Sequence, residues 1–207
     1  MSARTLSADR SATGPARAPG ATPHHQPSPG ATLGFVFICP GRHEASRAYP
    51  CAAGTGANLV RVLAALHARC PSWFTSACRS KYVVTNSWDR VEYPALTGRS
   101  VPTVGEVLAP ANLRRLAGEL AGLRQVVACG AQAQAAVRAL HAQGALPAAV
   151  AFERHLSQRA VNMIAGGTDT PSRLRLWCDS VLGQLAGAAT PSGAQGVCAQ
   201  TRERAIF

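Results

Sequence analysis

The chain has 207 residues, 47% of them hydrophobic, which suits one α/β domain with flanking tails and excludes a wholly disordered protein. Its 21 Lys and Arg against 10 Asp and Glu give a net charge of +11, which points to an anionic partner, nucleic acid first, although an Arg- and Ala-rich genome also produces such an excess. The 7 cysteines are odd in number, widely spaced and without Cys-x-x-Cys, which argues against a disulfide framework or a compact zinc ribbon and for small buried thiols in a reducing compartment.

Residues 1–31 are rich in Ser, Ala, Thr, Pro and Gly, carry Arg4, Arg10 and Arg17, and hold few large apolar side chains. Such a segment buries too little surface to offset its ordering entropy, so a disordered basic tail is expected. His24 and His25 within it are read as ordinary residues rather than metal ligands. The tail lacks the apolar core of a signal peptide, and no stretch is apolar and long enough to span a membrane. A soluble, cytoplasmic protein is therefore expected.

The domain is expected over 32–187. Phe35-Val36-Phe37-Ile38-Cys39-Pro40-Gly41-Arg42-His43-Glu44 is an apolar run that stops at Pro-Gly and enters a charged loop. The lack of polar alternation predicts a parallel strand over about 34–39, covered on both faces. The loop behind it, 40–53, then falls at the carboxyl edge of the sheet, where open α/β sheets place ligands. Leu59, Val62, Leu63 and Leu66 share one helix face, and Thr55 is the expected N-cap. The glycines leading into that helix would let backbone approach an anion, or merely open a core helix.

Lys81-Tyr82-Val83-Val84-Thr85-Asn86 predicts a second strand that turns polar only at its end. The irregular stretch 87–104, with Trp88 and Tyr93, is long enough to predict a functional loop. Thr103 and Glu106 have capping-box spacing. A helix over 110–121, a strand over 125–129, a turn at Gly130, a helix over 131–142, a strand over 148–152 and a helix over 171–186 follow. Residues 188–207 are expected to be a loose tail. Strands alternating with helices predict an α/β fold, a three-layer α/β/α sandwich on a mainly parallel four-stranded sheet.

Three loop signals stand in order: Pro40-Gly41-x-x-Glu44 with Pro50 and Gly56 beyond, Thr85-Asn86 at a strand end, and His155-Leu156-Ser157 after the last strand. Together with Val126-Val127-Ala128-Cys129-Gly130, they resemble the uracil-DNA glycosylase superfamily over residues 33–185. That superfamily carries Gly-Glu-Ala-Pro-Gly-x-x-Glu followed by Gly-x-Pro-Phe-x-Gly-x-x-Gly, a strand-end Thr-Asn, and His-Pro-Ser often continuing to an Asn such as Asn162. The chain departs from it at Ile38 and Cys39, where a water-activating acid or Asn often stands. It departs again at Cys51, where a Phe usually stacks on the base, and at Leu156 in place of Pro. The cysteines that hold an iron–sulfur cluster in some branches have no counterpart, so neither cluster nor other cofactor is expected.

The resemblance implies a monofunctional DNA glycosylase that flips out a damaged or modified pyrimidine, uracil by default, and hydrolyses its N-glycosidic bond. His155 would donate to the pyrimidine O2 as charge develops there. Asn86 would grip the base edge through its amide, with a turn or cap role as the alternative. Glu44, with His43 as rival, would position or deprotonate water, or would be a solvated loop residue. Cys39, Pro40, Gly41, Tyr49 and Cys51 would line the base pocket, Tyr49 offering a stacking face and Cys39 its backbone N–H. Leu156, with Gln158 and Arg159, would wedge into the duplex, and Ser157 and Arg159 would hold phosphates, joined by Lys81, Arg90 and Arg99. The partner is DNA, and a monomer is expected. The alternatives are a catalytically weak or covalently trapping DNA-binding module and a glycosylase for a bulky modified pyrimidine. A nucleotide-binding metabolic domain is disfavoured, since no Gly-x-Gly-x-x-Gly or Gly-Lys-Ser/Thr loop is present.

Overall fold

The computed structural model describes residues 20–146 and 148–188. Its five-stranded sheet runs in the order β1-β3-β2-β4-β5, with β1 at His25–Gln26, β2 at Leu33–Phe37, β3 at Val83–Asn86, β4 at Gln125–Cys129 and β5 at Ala149–Glu153. β2 to β5 are mutually parallel, and β1 alone runs antiparallel, against β3. The helices are α1 (Arg42–Arg47), α2 (Gly54–Arg69), α3 (Pro94–Thr97), α4 (Val104–Val107), α5 (Pro110–Glu119), α6 (Ala131–Ala142), α7 (Gln158–Asn162) and α8 (Thr170–Ala188).

Side-chain alternation along the parallel strands makes two cores. Phe35, Phe37, Val127 and Cys129 face α2 and α8, where Leu59, Leu63, Leu66, Trp177 and Val181 meet them. Val36, Val126 and Ala128 face the other way, against Leu113, Leu116, Val137 and Leu140 of α5 and α6. Both sheet faces are thus covered, which is why the strands are continuous apolar runs. Helices flank the sheet on both sides, as expected. None of those described is long and apolar enough to cross a membrane.

The structure corrects several details. The sheet has five strands, not four. The fifth is β1, inside the segment expected to be a disordered tail. Residues 20–31 are held by backbone pairing and polar contacts rather than by a large apolar stripe: His25 pairs with Thr85 and Gln26 with Val84. Gln26 is buried, and its Nε2 donates to the Arg79 carbonyl at 3.1 Å. The rest of that tail, with Arg4, Arg10 and Arg17, and the stretch 189–207 lie outside the described residues. β2 ends at Phe37, so Ile38 and Cys39 already belong to the loop. α2 begins one residue before Thr55, with Ala53 as its cap. The Thr103–Glu106 capping box is present, Glu106 Oε2 accepting from the Thr103 N–H at 2.8 Å.

The outer edge of β5 is finished by a side chain. Gln184 of α8 accepts from the Phe152 N–H at 2.8 Å and donates to the Phe152 carbonyl at 3.3 Å.

Gly56, in the first turn of α2, is approached by the chain's own backbone. A Cβ there would sit 1.9 Å from the Cys51 carbonyl oxygen. Gly56→Ala is therefore expected to destabilise the fold by at least about 2 kcal/mol, a fall of roughly 5 °C in Tm. Urea and thermal denaturation check this, and an unchanged Tm would show that the 48–53 loop gives way freely.

Candidate functional site

The Pro40-Gly41 turn leaves β2 at the carboxyl edge of the sheet and enters α1. Glu44 is the third residue of that helix, and both its oxygens are engaged. Oε2 accepts from the Gly41 N–H at 3.0 Å and Oε1 from the Ala52 N–H at 2.9 Å. The carboxylate so ties the start of the 40–53 loop to its end. Arg79 fixes the same loop from outside, donating to the Pro50 carbonyl at 2.6 Å and the Cys51 carbonyl at 3.1 Å, with its guanidinium 5.2 Å from the Tyr49 ring. Arg47 adds a bond to the Ala52 carbonyl. Within the loop Ala48 and Cys51 take φ values of 56° and 52°, a left-handed conformation that non-glycine residues seldom adopt.

Neither loop cysteine is a thiolate. Cys39 is pushed up to about 12 by burial and then by the charges of Glu92 and Glu44. Its Sγ lies 3.6 Å from the Ser100 carbonyl. Burial likewise raises the thiol of Cys51, which packs in the core. A reactive cysteine needs a lowered pKa and access.

His155 follows β5, and its neighbours pin it on both sides. Trp177 Nε1 donates to the Arg154 carbonyl at 2.9 Å. Asn58 Nδ2 donates to the Leu156 carbonyl at 2.9 Å. The ring stands edge-on to Phe37 with centroids 5.5 Å apart, and its Cβ lies 3.3 Å from where a side chain at Gly130 would begin. Gly130 has φ +98°, and a Cβ there would also meet Ile38 Cδ1 at 2.8 Å, so the ends of β2, β4 and β5 converge on the imidazole. The Ser157 N–H donates to His155 Nδ1 at 3.0 Å. This leaves the proton of the neutral ring on Nε2, by the hydrogen-bond pattern. Burial lowers the His155 pKa to about 4 against an upward pull from Glu44.

The structure therefore brings Ile38, Cys39, Gly41, Glu44, Cys51 and His155 to one sheet edge. The charge of Glu44 acts on Cys39, Cys51 and His155 alike. Asn86 is the register partner of Phe37 and is almost fully buried. Its Nδ2 donates to the His24 carbonyl at 3.2 Å, while Arg115 donates to its backbone oxygen at 3.1 Å. Part of its amide thus holds the N-terminal segment. Thr85 faces the other side and bonds Glu119, which also takes Arg115 at 2.7 Å and His24 at 3.3 Å.

Other candidates are placed elsewhere. Leu156 is 0% exposed and packs in the α2/α8 core, so as folded it anchors the loop and does not project as a wedge. Ser157 caps α7 through Ala160. Arg99 is committed to Glu92 and Glu106, which draw down to about 2 through its hydrogen bonds. Lys81 lies at the amino end of β3, away from this edge. The aromatics of the long loop divide: Trp88 is buried against Glu92 and under Arg90, and Tyr93 is half-buried. Arg159 and His43 are exposed. Asn58, Trp177 and Arg79 were missed from the sequence, because each acts on a backbone carbonyl far along the chain.

Exposed arginines frame the edge: Arg42 and Arg47 on α1, Arg61 on α2, and Arg154 and Arg159 beside His155. Among the described residues no three His, Cys, Asp or Glu side chains gather as a metal site. In comparisons with known proteins no family model matches the chain, and no curated protein matches it.

Between about pH 4 and 6.5 the unfolded chain takes up a proton at residue 155 that the folded chain refuses. This contribution to stability is therefore complete above pH 6.5 and is lost as the pH falls toward 4. His155→Gln is expected to lose less stability than the wild type between pH 7 and pH 4, by up to about 3 kcal/mol. Parallel urea titrations at the two pH values measure it, and equal losses would place the His155 pKa near its ordinary value.

Proposed function

We propose that this chain is a monofunctional DNA glycosylase. It would flip a damaged or modified pyrimidine, uracil by default, into the edge formed by the Pro40-Gly41 turn and the His155 loop, and would hydrolyse its N-glycosidic bond. The observation that carries the reading is the state of His155. It is a neutral imidazole whose Nδ1 is occupied by the Ser157 N–H at 3.0 Å, so Nε2–H is the group left to donate. A fixed donor aimed where charge develops on a leaving base lowers the barrier without a proton transfer. The resemblance of Pro40-Gly41-x-x-Glu44, Thr85-Asn86 and His155-x-Ser157 to the uracil-DNA glycosylase superfamily supports the same reaction. The arginines around the edge and the net charge of +11 support a polyanionic partner. A bulkier modified pyrimidine is a variant of the same reading that rests on the sequence alone, since Cys51 stands where that superfamily stacks a Phe but its side chain packs in the core.

One observation favours a second reading, a DNA-binding module on the same scaffold. Both oxygens of Glu44 are bonded to backbone N–H groups, so the first loop's acid already has a structural task. Water activation would have to use the remaining lone pairs.

Labelled oligonucleotides carrying uracil and a panel of modified pyrimidines, single- and double-stranded, separate the two by alkaline cleavage at abasic sites. The expected result is excision of one base by the wild type and a loss of about 100-fold or more in His155→Ala, the usual cost of one such donor. DNA affinity at matched salt is expected to survive the substitution. No excision of any base, with salt-dependent binding intact, would favour the second reading.

A further inference from the structure

Asn58 is a polar side chain 1% exposed in the middle of an apolar helix face, between Gly56 and Leu59. Burying an amide there is costly unless its groups are bonded. Its partners lie in a particular order. Arg61 Nη1, one turn along α2, donates to Asn58 Oδ1 at 3.0 Å. Asn58 Nδ2 donates to the Leu156 carbonyl at 2.9 Å. That carbonyl and the Ser157 N–H belong to one peptide group, and the Ser157 N–H donates to His155 Nδ1 at 3.0 Å.

We infer that Asn58 and Arg61 are positioning residues that set the tautomer of His155 through the Leu156–Ser157 peptide. Every donor in the chain points the same way, from the guanidinium to the imidazole. Charge on Arg61 polarises the Asn58 amide, the amide polarises the peptide, and the peptide N–H holds the lone pair of Nδ1. Hydrogen bonds in series strengthen one another in a low-dielectric interior. Donation into Nδ1 fixes the ring proton on Nε2 and makes that N–H the better donor. The peptide plane is held at its carbonyl by Asn58, while the Leu156 side chain is locked in the core. Without Asn58 the carbonyl loses its partner and the peptide is free to tilt, releasing Nδ1. The catalytic meaning of this chain rests on the glycosylase reading, whereas the tautomer itself does not.

The test has two arms. In ¹⁵N-labelled full-length protein, long-range ¹H–¹⁵N correlation of the imidazoles reports the tautomer directly. Wild-type His155 is expected to show a protonated Nε2 and a bare Nδ1. Asn58→Ala and Asn58→Leu are expected to bring the two nitrogen shifts toward each other, and Arg61→Ala to move them the same way by less. On excised substrate, Asn58→Ala is expected to lower kcat about tenfold with KM nearly unchanged, the size of one hydrogen bond. Arg61→Lys, which keeps the charge, is expected to recover most of the Arg61→Ala loss. A tautomer unmoved in a folded Asn58 variant overturns the inference. If neither Asn58 variant folds, Arg61→Ala on the exposed face of α2 decides it, and unchanged imidazole shifts there overturn it as well. A wild type that excises no base removes the glycosylase reading but leaves the spectroscopic arm able to support or refute the chain.

Discussion

A parallel sheet buried on both faces can show polar chemistry only at its ends. β2, β3 and β4 run between two apolar layers, and their apolar side chains belong to one or the other, while the buried polar pair Thr85 and Asn86 closes β3. Polar groups such as Glu44, Asn86 and His155 must therefore appear where the strands stop, and the parallel direction brings those stops to one edge. The position of the candidate site follows from the burial of the sheet.

An edge of loops is not rigid by itself, and here rigidity comes from side chains that bond to backbone. Glu44 takes the Gly41 and Ala52 N–H groups, Arg79 the Pro50 and Cys51 carbonyls, Asn58 the Leu156 carbonyl, and Trp177 the Arg154 carbonyl. Any single bond of this kind contributes about 1 kcal/mol. Acting together on two short loops, they fix the peptide planes that frame His155. The anchoring groups come from α1, α2, α8 and Arg79, and His155 sits in a loop that they hold.

Much of this architecture was legible in the sequence, because strands covered on both faces are written as unbroken apolar runs. Their ends were less so. The run continues through Ile38 and Cys39, but the last register pair is Phe37 with Asn86, and beyond it the two segments stay joined by Ser87 N–H to the Phe37 carbonyl at 2.7 Å and Trp88 N–H to the Ile38 carbonyl at 3.0 Å. β1 was invisible for the opposite reason: His25-Gln26 has no apolar signature, and what holds it is backbone pairing to β3. Leu156 is ambiguous in principle, since an apolar residue in a polar loop is either a projecting wedge or an inward anchor. The deciding contacts come from α2, nearly a hundred residues earlier. Gly56 was legible as a place of close backbone approach, but the approaching atom is the Cys51 carbonyl rather than a ligand. Arg99 stands seven residues from both Glu92 and Glu106, yet in an irregular loop such spacing fixes no geometry.

The side chain of Gln184 gives the far border of the sheet a second meaning. A primary amide carries the same donor and acceptor as a peptide bond, so at Phe152 it stands in for one residue of an absent sixth strand. At the opposite border, β1 plays that part with two residues of main chain. A sheet whose outermost ladder is already answered presents fewer open hydrogen-bonding groups for another polypeptide to extend. The fold thus ends its strand pairing with one glutamine on one side and one dipeptide on the other, and very short or partly capped edges of this kind are poor templates for edge-to-edge pairing.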